Sequence, residues 1–187
     1  MSITRPRPAF SSRRDLPIAL VVGAGGMSMA IAQRLGQGHR VIVASLRLDE
    51  LEQAQERLHE LGVVSTTLAC DITDRGSVGR LGETLSGLGL VQTLAHVAAL
   101  SPSAGDWRSV LNVNLLGAAR IEQALHPLMA SGGAAVFISS LAAHGPVEPS
   151  LLEILDAPLA DGFFPVSRRP PDPRVRRDLP MPSPRPR

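Results

Sequence analysis

The run Ile18-Ala19-Leu20-Val21-Val22-Gly23-Ala24-Gly25-Gly26-Met27-Ser28-Met29-Ala30-Ile31-Ala32-Gln33-Arg34-Leu35 joins two periodicities through a glycine loop. Five apolar residues lead into Gly23 without alternation, the pattern of a strand buried on both faces in a parallel sheet. From Met27 onward the spacing is helical, and Gly36 and Gly38 follow as stop signals. In the loop, Gly23 permits a tight turn. Gly25 or Gly26 lets backbone approach an anion with no side chain in the way. The first turn of the helix adds free N–H groups and a partial positive charge. Ser28 stands where a third glycine of the dinucleotide-binding pattern falls. Its hydroxyl suits a phosphate, and its side chain is expected to loosen helix–strand packing.

Working outward, further strands are expected over 40–44, 65–69, 90–97 and 134–139, with helices over 27–35, 49–61, 77–85 and 107–130. The long last helix is interrupted at most by Gly117 and Pro127. Strict alternation of buried strands and helices predicts the α/β class, a doubly wound parallel sheet with helices on both faces. After Ser140 the alternation fails. Residues 151–159 read as one short helix. From Phe163 the chain is rich in proline and arginine, with Pro165, Pro170, Pro171, Pro173, Pro180, Pro182, Pro184 and Pro186. Proline lacks the donor a sheet interior needs, so no sixth strand is expected and the sheet is incomplete on its C-terminal side. The chain therefore divides into a disordered leader (residues 1–16), a Rossmann-like domain (17–162) and a disordered tail (163–187).

A length of 187 residues suits one domain, and 44% apolar residues argue against wholesale disorder. No apolar run reaches the ~18 residues of a membrane span. Cys70 is the sole cysteine, so neither an internal disulfide nor a cysteine metal cluster forms. His39, His59, His96 and His126 show no metal-ligand spacing, and no metal is expected. There is no tyrosine, and all the basic residues are arginine. Chemistry that needs a tyrosine acid, a lysine Schiff base or a phosphate-loop lysine is excluded. Net charge is +2, with arginines crowding both ends and most acids between them. A basic tail attracts nucleic acid or anionic lipid. No recognition helix or aromatic stacking motif accompanies it, so the arginines read as a solvated end. The leader has neither a signal-peptide apolar region nor an uninterrupted amphipathic helix, which leaves a cytoplasmic location.

These ordered motifs resemble the short-chain dehydrogenase/reductase family over residues 16–140. The loop Gly23-Ala24-Gly25-Gly26-Met27-Ser28 looks like a shortened form of the family's glycine pattern. Asp71-Ile72-Thr73-Asp74 is similar to the segment whose first acid, here Asp71, meets the adenine edge with help from the next amide, that of Ile72. Val97-Ala98-Ala99 stands where the family has Asn-Ala-Gly beside the cofactor. Val113-Asn114-Leu115-Leu116-Gly117 resembles its helix motif, which maps the family's asparagine to Asn114. Phe137-Ile138-Ser139-Ser140 resembles the strand bearing the catalytic serine, which maps to Ser140. Singly, each residue has a plainer use: Asp71 as a helix cap, Asn114 as an idle helix residue, Ser140 as a strand end.

The resemblance implies hydride transfer between a nicotinamide dinucleotide and a carbonyl or alcohol substrate. At the end of the second strand stand Ser45 and Arg47, where NAD-using relatives carry an acid. Serine and arginine favour a 2′-phosphate, hence NADP, with NAD the alternative. The family's tyrosine and lysine are missing. Glu153 holds the tyrosine's place, thirteen residues past Ser140, and catalysis is expected to be impaired. His144 gives Ser140 a nearby base but no obvious acid orients it. The anomalous tail suggests a truncated or frameshifted member. The alternative is a non-catalytic dinucleotide-binding module, pairing as a homo- or hetero-oligomer, the latter with an intact homologue.

Overall fold

The computed structural model describes residues 16–161 and 163. The expected leader and tail lie outside these residues, apart from Leu16 and Phe163. The strands are β1 (Ile18–Val22), β2 (Arg40–Ser45), β3 (Ser65–Ala69), β4 (Val91–His96) and β5 (Met129–Phe137). The helices are α1 (Gly26–Leu35), α2 (Leu48–Glu60), α3 (Arg75–Leu88), α4 (Trp107–Leu111), α5 (Ala118–Leu125) and α6 (Pro149–Leu155). All strand pairings are parallel and the order is β3-β2-β1-β4-β5. The doubly wound sheet expected from the sequence is present. After β3 the chain crosses back over β1 to begin β4, so the winding reverses between β1 and β4. Loops leaving the carboxyl ends of these two strands diverge there and open a crevice.

Burial on both faces explains the unbroken apolar run of β1. Leu20 and Val22 face α3 and α5 and pack with Leu81, Leu85, Ile121 and Leu125. Val21 faces the other way, toward Ala32 of α1 and Leu51 and Leu58 of α2. Alternate residues of one strand thus anchor two helical layers. Among the described residues no helix is long and apolar enough to cross a membrane.

The single helix expected over 107–130 is corrected. It is α4, a π-helical stretch at Asn112–Gly117, α5, and a 3₁₀ turn at His126–Leu128. A Cβ on Gly117 would lie 2.8 Å from the Ile72 side chain, so glycine lets the π stretch press against the loop after β3. Pro127, which has no N–H to donate, falls in the closing 3₁₀ turn. Met129 already pairs with Val91, so β5 begins five residues before the expected start. Helix α3 begins two residues early because Asp74 caps it, accepting from the Gly76 and Ser77 amides at 3.1 and 3.0 Å. β5 is the sheet edge, and Val136, Phe137 and the following Ile138 are exposed.

Candidate cofactor-binding site

A cleft of about 630 Å³ opens above the carboxyl ends of β1, β2, β3 and β4. Gly23 forms its floor. The φ of Gly23 is +112°, and a Cβ there would lie 2.9 Å from Ser28 Oγ and 3.1 Å from the Ala98 amide nitrogen. Glycine is required at this position on both counts. Ser28 is buried beneath the turn, so the helix packs closely against the strand despite the missing third glycine. Gly25 is the N-cap of α1 and makes no side-chain cap, and a Cβ on Gly25 or Gly26 would meet nothing within 4 Å. Bare backbone and uncapped helix N–H groups therefore face the cleft, with room for an anion's oxygens. Met27 stands exposed on the rim.

The next wall comes from the end of β2. Ser45 and Arg47 line it, with Leu46 exposed between them. Arg47 makes a fork with Asp49, Nη2 to Oδ2 at 2.6 Å and Nε to Oδ1 at 3.2 Å. Its Nε also lies 3.3 Å from Glu50 Oε1. The hydrogen bond from Arg47 holds the Asp49 carboxyl below its ordinary range.

Beyond β3, Asp71 and Ile72 line the cleft. Asp71 Oδ1 accepts from the Thr73 amide at 2.8 Å and from its hydroxyl at 2.7 Å, which fixes the carboxylate by a local turn. Asp74, not Asp71, caps α3, so the plainer use of Asp71 does not apply. On the far side, Val97 and Ala98 donate to Val22 O at 2.9 and 2.8 Å, which brings Ala98 and Ala99 to the cleft beside Gly23.

The eleven residues expected to hold a cofactor all line this one cleft: Gly23, Gly25, Gly26, Met27, Ser28, Ser45, Arg47, Asp71, Ile72, Ala98 and Ala99. The two expected catalytic residues do not. Asn114 lies in the π stretch and clamps Leu100, accepting from its N–H at 2.7 Å and donating to its carbonyl at 2.9 Å. Leu100 is itself a cleft residue. Ser140 lies two residues past Ile138, the last of this segment to reach the cleft. Glu153 is exposed on α6. The sequence reading missed Glu50, whose carboxylate shares Arg47 with Asp49; the Arg-x-Asp-Glu spacing was the available signal. It also missed His96, which is buried, its ring tilted against that of Phe137, with neither ring nitrogen hydrogen-bonded. Burial lowers its pKa to about 4.

The residues present fit a dinucleotide: a glycine floor, a bare helix N-terminus, an arginine at the β2 end and a fixed carboxylate at the β3 end. The sequence pattern of the short chain dehydrogenase family matches residues 17–150. Short-chain dehydrogenase/reductase bsc3 of Alternaria brassicicola is 33% identical over 125 residues, covering 67% of this chain and 46% of its own length. A solved variant of actinorhodin polyketide ketoreductase with NADPH superposes with TM-score 0.62 at 27% identity, over 72% of this chain and 57% of that one. A metagenomic short-chain oxidoreductase in complex with NADP gives TM-score 0.59 at 26% identity, over 70% and 65%. The chain spans about half the length of the curated relatives it matches, 46% of one and 51% of another.

Proposed function

Because this chain belongs to the short-chain dehydrogenase family, we propose that it binds a nicotinamide dinucleotide in the cleft, NADP ahead of NAD, and descends from oxidoreductases acting on small carbonyl or alcohol substrates. The observation that carries the reading is the cradle itself: a Gly23 floor that no other residue fits, with bare backbone at Gly25 and Gly26 on the N-terminus of α1. Its amides would hold the pyrophosphate. Asp71 and the Ile72 amide would take the adenine edge, and Ser45 and Arg47 the ribose with its 2′-phosphate. Ala98 and Ala99 would flank the nicotinamide end. A bound dinucleotide supplies or accepts hydride.

The chain's own contribution to chemistry is thin. Ser140 would orient a substrate oxygen, and Asn114 acts through Leu100 by holding the loop after β4 in place. No tyrosine stands ready to give or take the proton, and no lysine to lower its pKa. We therefore read the chain as catalytically impaired. A second reading, a non-catalytic dinucleotide-binding module or partner subunit of an intact homologue, follows from the same two absences. Thermal unfolding with and without NADPH or NADH tests the cofactor reading. A ligand at a hundredfold excess over its Kd stabilises by about 2.7 kcal/mol. A cooperative transition that neither dinucleotide moves would sink it. A turnover assay on a chain that does bind separates the impaired enzyme from the module.

A further inference from the structure

Arg47, the cation the cleft offers to a 2′-phosphate, is already engaged. Its Nε and Nη2 face Asp49 in a two-bond fork, and its Nε lies within ion-pair range of Glu50 as well. Both acids belong to the first turn of α2, where the helix dipole favours them. One guanidinium charge is thus set against two carboxylates. Glu50 also lines the cleft directly. A 2′-phosphate arriving here must displace or share one edge of the guanidinium and approach two negative charges. A free ribose hydroxyl meets no such repulsion.

We propose that Asp49 is a specificity-determining positioning residue, which holds Arg47 against α2 and keeps the preference for NADPH over NADH shallow. This rests on reading the cleft as a dinucleotide site. The hydrogen bond from Arg47 lowers the pKa of the Asp49 carboxyl and so favours its charged form. The pair is exposed, so its grip is weak enough for a phosphate to compete with it.

The test is equilibrium binding of NADPH and of NADH to the full chain at low ionic strength, read by the fluorescence of the reduced nicotinamide. Four proteins are compared: the unaltered chain, Asp49→Asn, Arg47→Gln and the double variant. Removing the carboxylate is expected to tighten NADPH about threefold to fivefold, within the range of one exposed charge contact, and to leave NADH within about twofold. The gain should vanish in the Arg47→Gln background. A NADPH-to-NADH ratio that stays level or falls in Asp49→Asn, with both ligands still binding, overturns the proposal alone. It would mean that Asp49 is irrelevant or presents Arg47 to the phosphate. A ratio unmoved by Arg47→Gln removes the phosphate from Arg47 and the proposal with it, while the dinucleotide reading stands. Failure of both ligands to bind the unaltered chain overturns both.

Discussion

Gly23 and Gly25 stand two positions apart and answer to different constraints. Gly23 has φ of +112° and no space for a Cβ, whereas Gly25 has φ of −71° and open space around it. Gly23→Ala is expected to lower stability by about 2 kcal/mol, from backbone strain alone before the clash is counted. Gly25→Ala should leave the unfolding midpoint nearly unchanged and weaken dinucleotide binding by placing a methyl where the anion sits. Urea unfolding and ligand titration of the two variants separate them; equal loss of stability in both would refute the distinction. The glycine spacing and its strand–helix context were enough to place this loop from sequence. His96 was not legible, because a histidine after an apolar run gives no sign of whether its ring is buried. Its pKa falls from 6.5 to about 4 through burial. The unfolded chain therefore binds a proton that the folded chain refuses. Stability should be full above pH 6.5, fall as pH drops toward 4 and level off below that, by up to about 3 kcal/mol from this group. Chemical denaturation of the native chain and of His96→Leu across that range should give a flatter profile for the variant. Parallel profiles would mean that His96 is solvated in the folded protein.

Helix ends and irregular turns decide which side chains of the elements reach the cleft. The strands and helices through β4 were readable because both periodicities are strong and each helix is bracketed by a glycine or an acid. The segment 107–130 was misread for a physical reason: Asn112-Val113-Asn114-Leu115-Leu116-Gly117 has an ordinary helical apolar pattern, and a π turn leaves no mark in composition. That turn carries Asn114, whose amide closes both backbone groups of Leu100. The sequence alone could assign Asn114 a place in a family motif, but not this clamp. Asn114→Ala leaves Leu100 to find water, at a cost of about 1 kcal/mol for two partly exposed bonds. The loop after β4 should become mobile, seen as faster amide exchange from Val97 to Leu100, and dinucleotide binding should weaken with it. Unchanged exchange in that loop would show that the clamp holds nothing the strand does not already fix.

Among the described residues, the β5 edge of the sheet pairs with no further strand. β3, at the other end, is covered in part by α2, as the hydrogen bond from Gln55 to Ser65 shows. β5 pairs only with β4 among the described residues, and its C-terminal half is exposed. No Asp, Glu, Lys or Arg occurs between Glu122 and Glu148, and no proline falls within β5. Natural edge strands are usually blunted by charge, proline or a covering element. The sequence foretold this edge, since the alternation that builds the sheet fails immediately after β5. Its consequence is a template for another strand, and self-association that grows with concentration is the expected behaviour of the purified chain. Val136, beside Ala95 in the parallel register and more than half exposed, is the position to change. A lysine there keeps the β4 pairing, because backbone makes the ladder, and places a charge that a second strand would have to bury. Val136→Lys should move the onset of association, followed by light scattering, to roughly tenfold higher concentration, corresponding to about 1.4 kcal/mol per contact. Its thermal midpoint should stay close to that of the native chain, since an exposed position costs little. Association at the same concentration in both proteins would place the sticking surface elsewhere, and the exposed edge of β5 would then be a feature of the fold without a part in its solution behaviour.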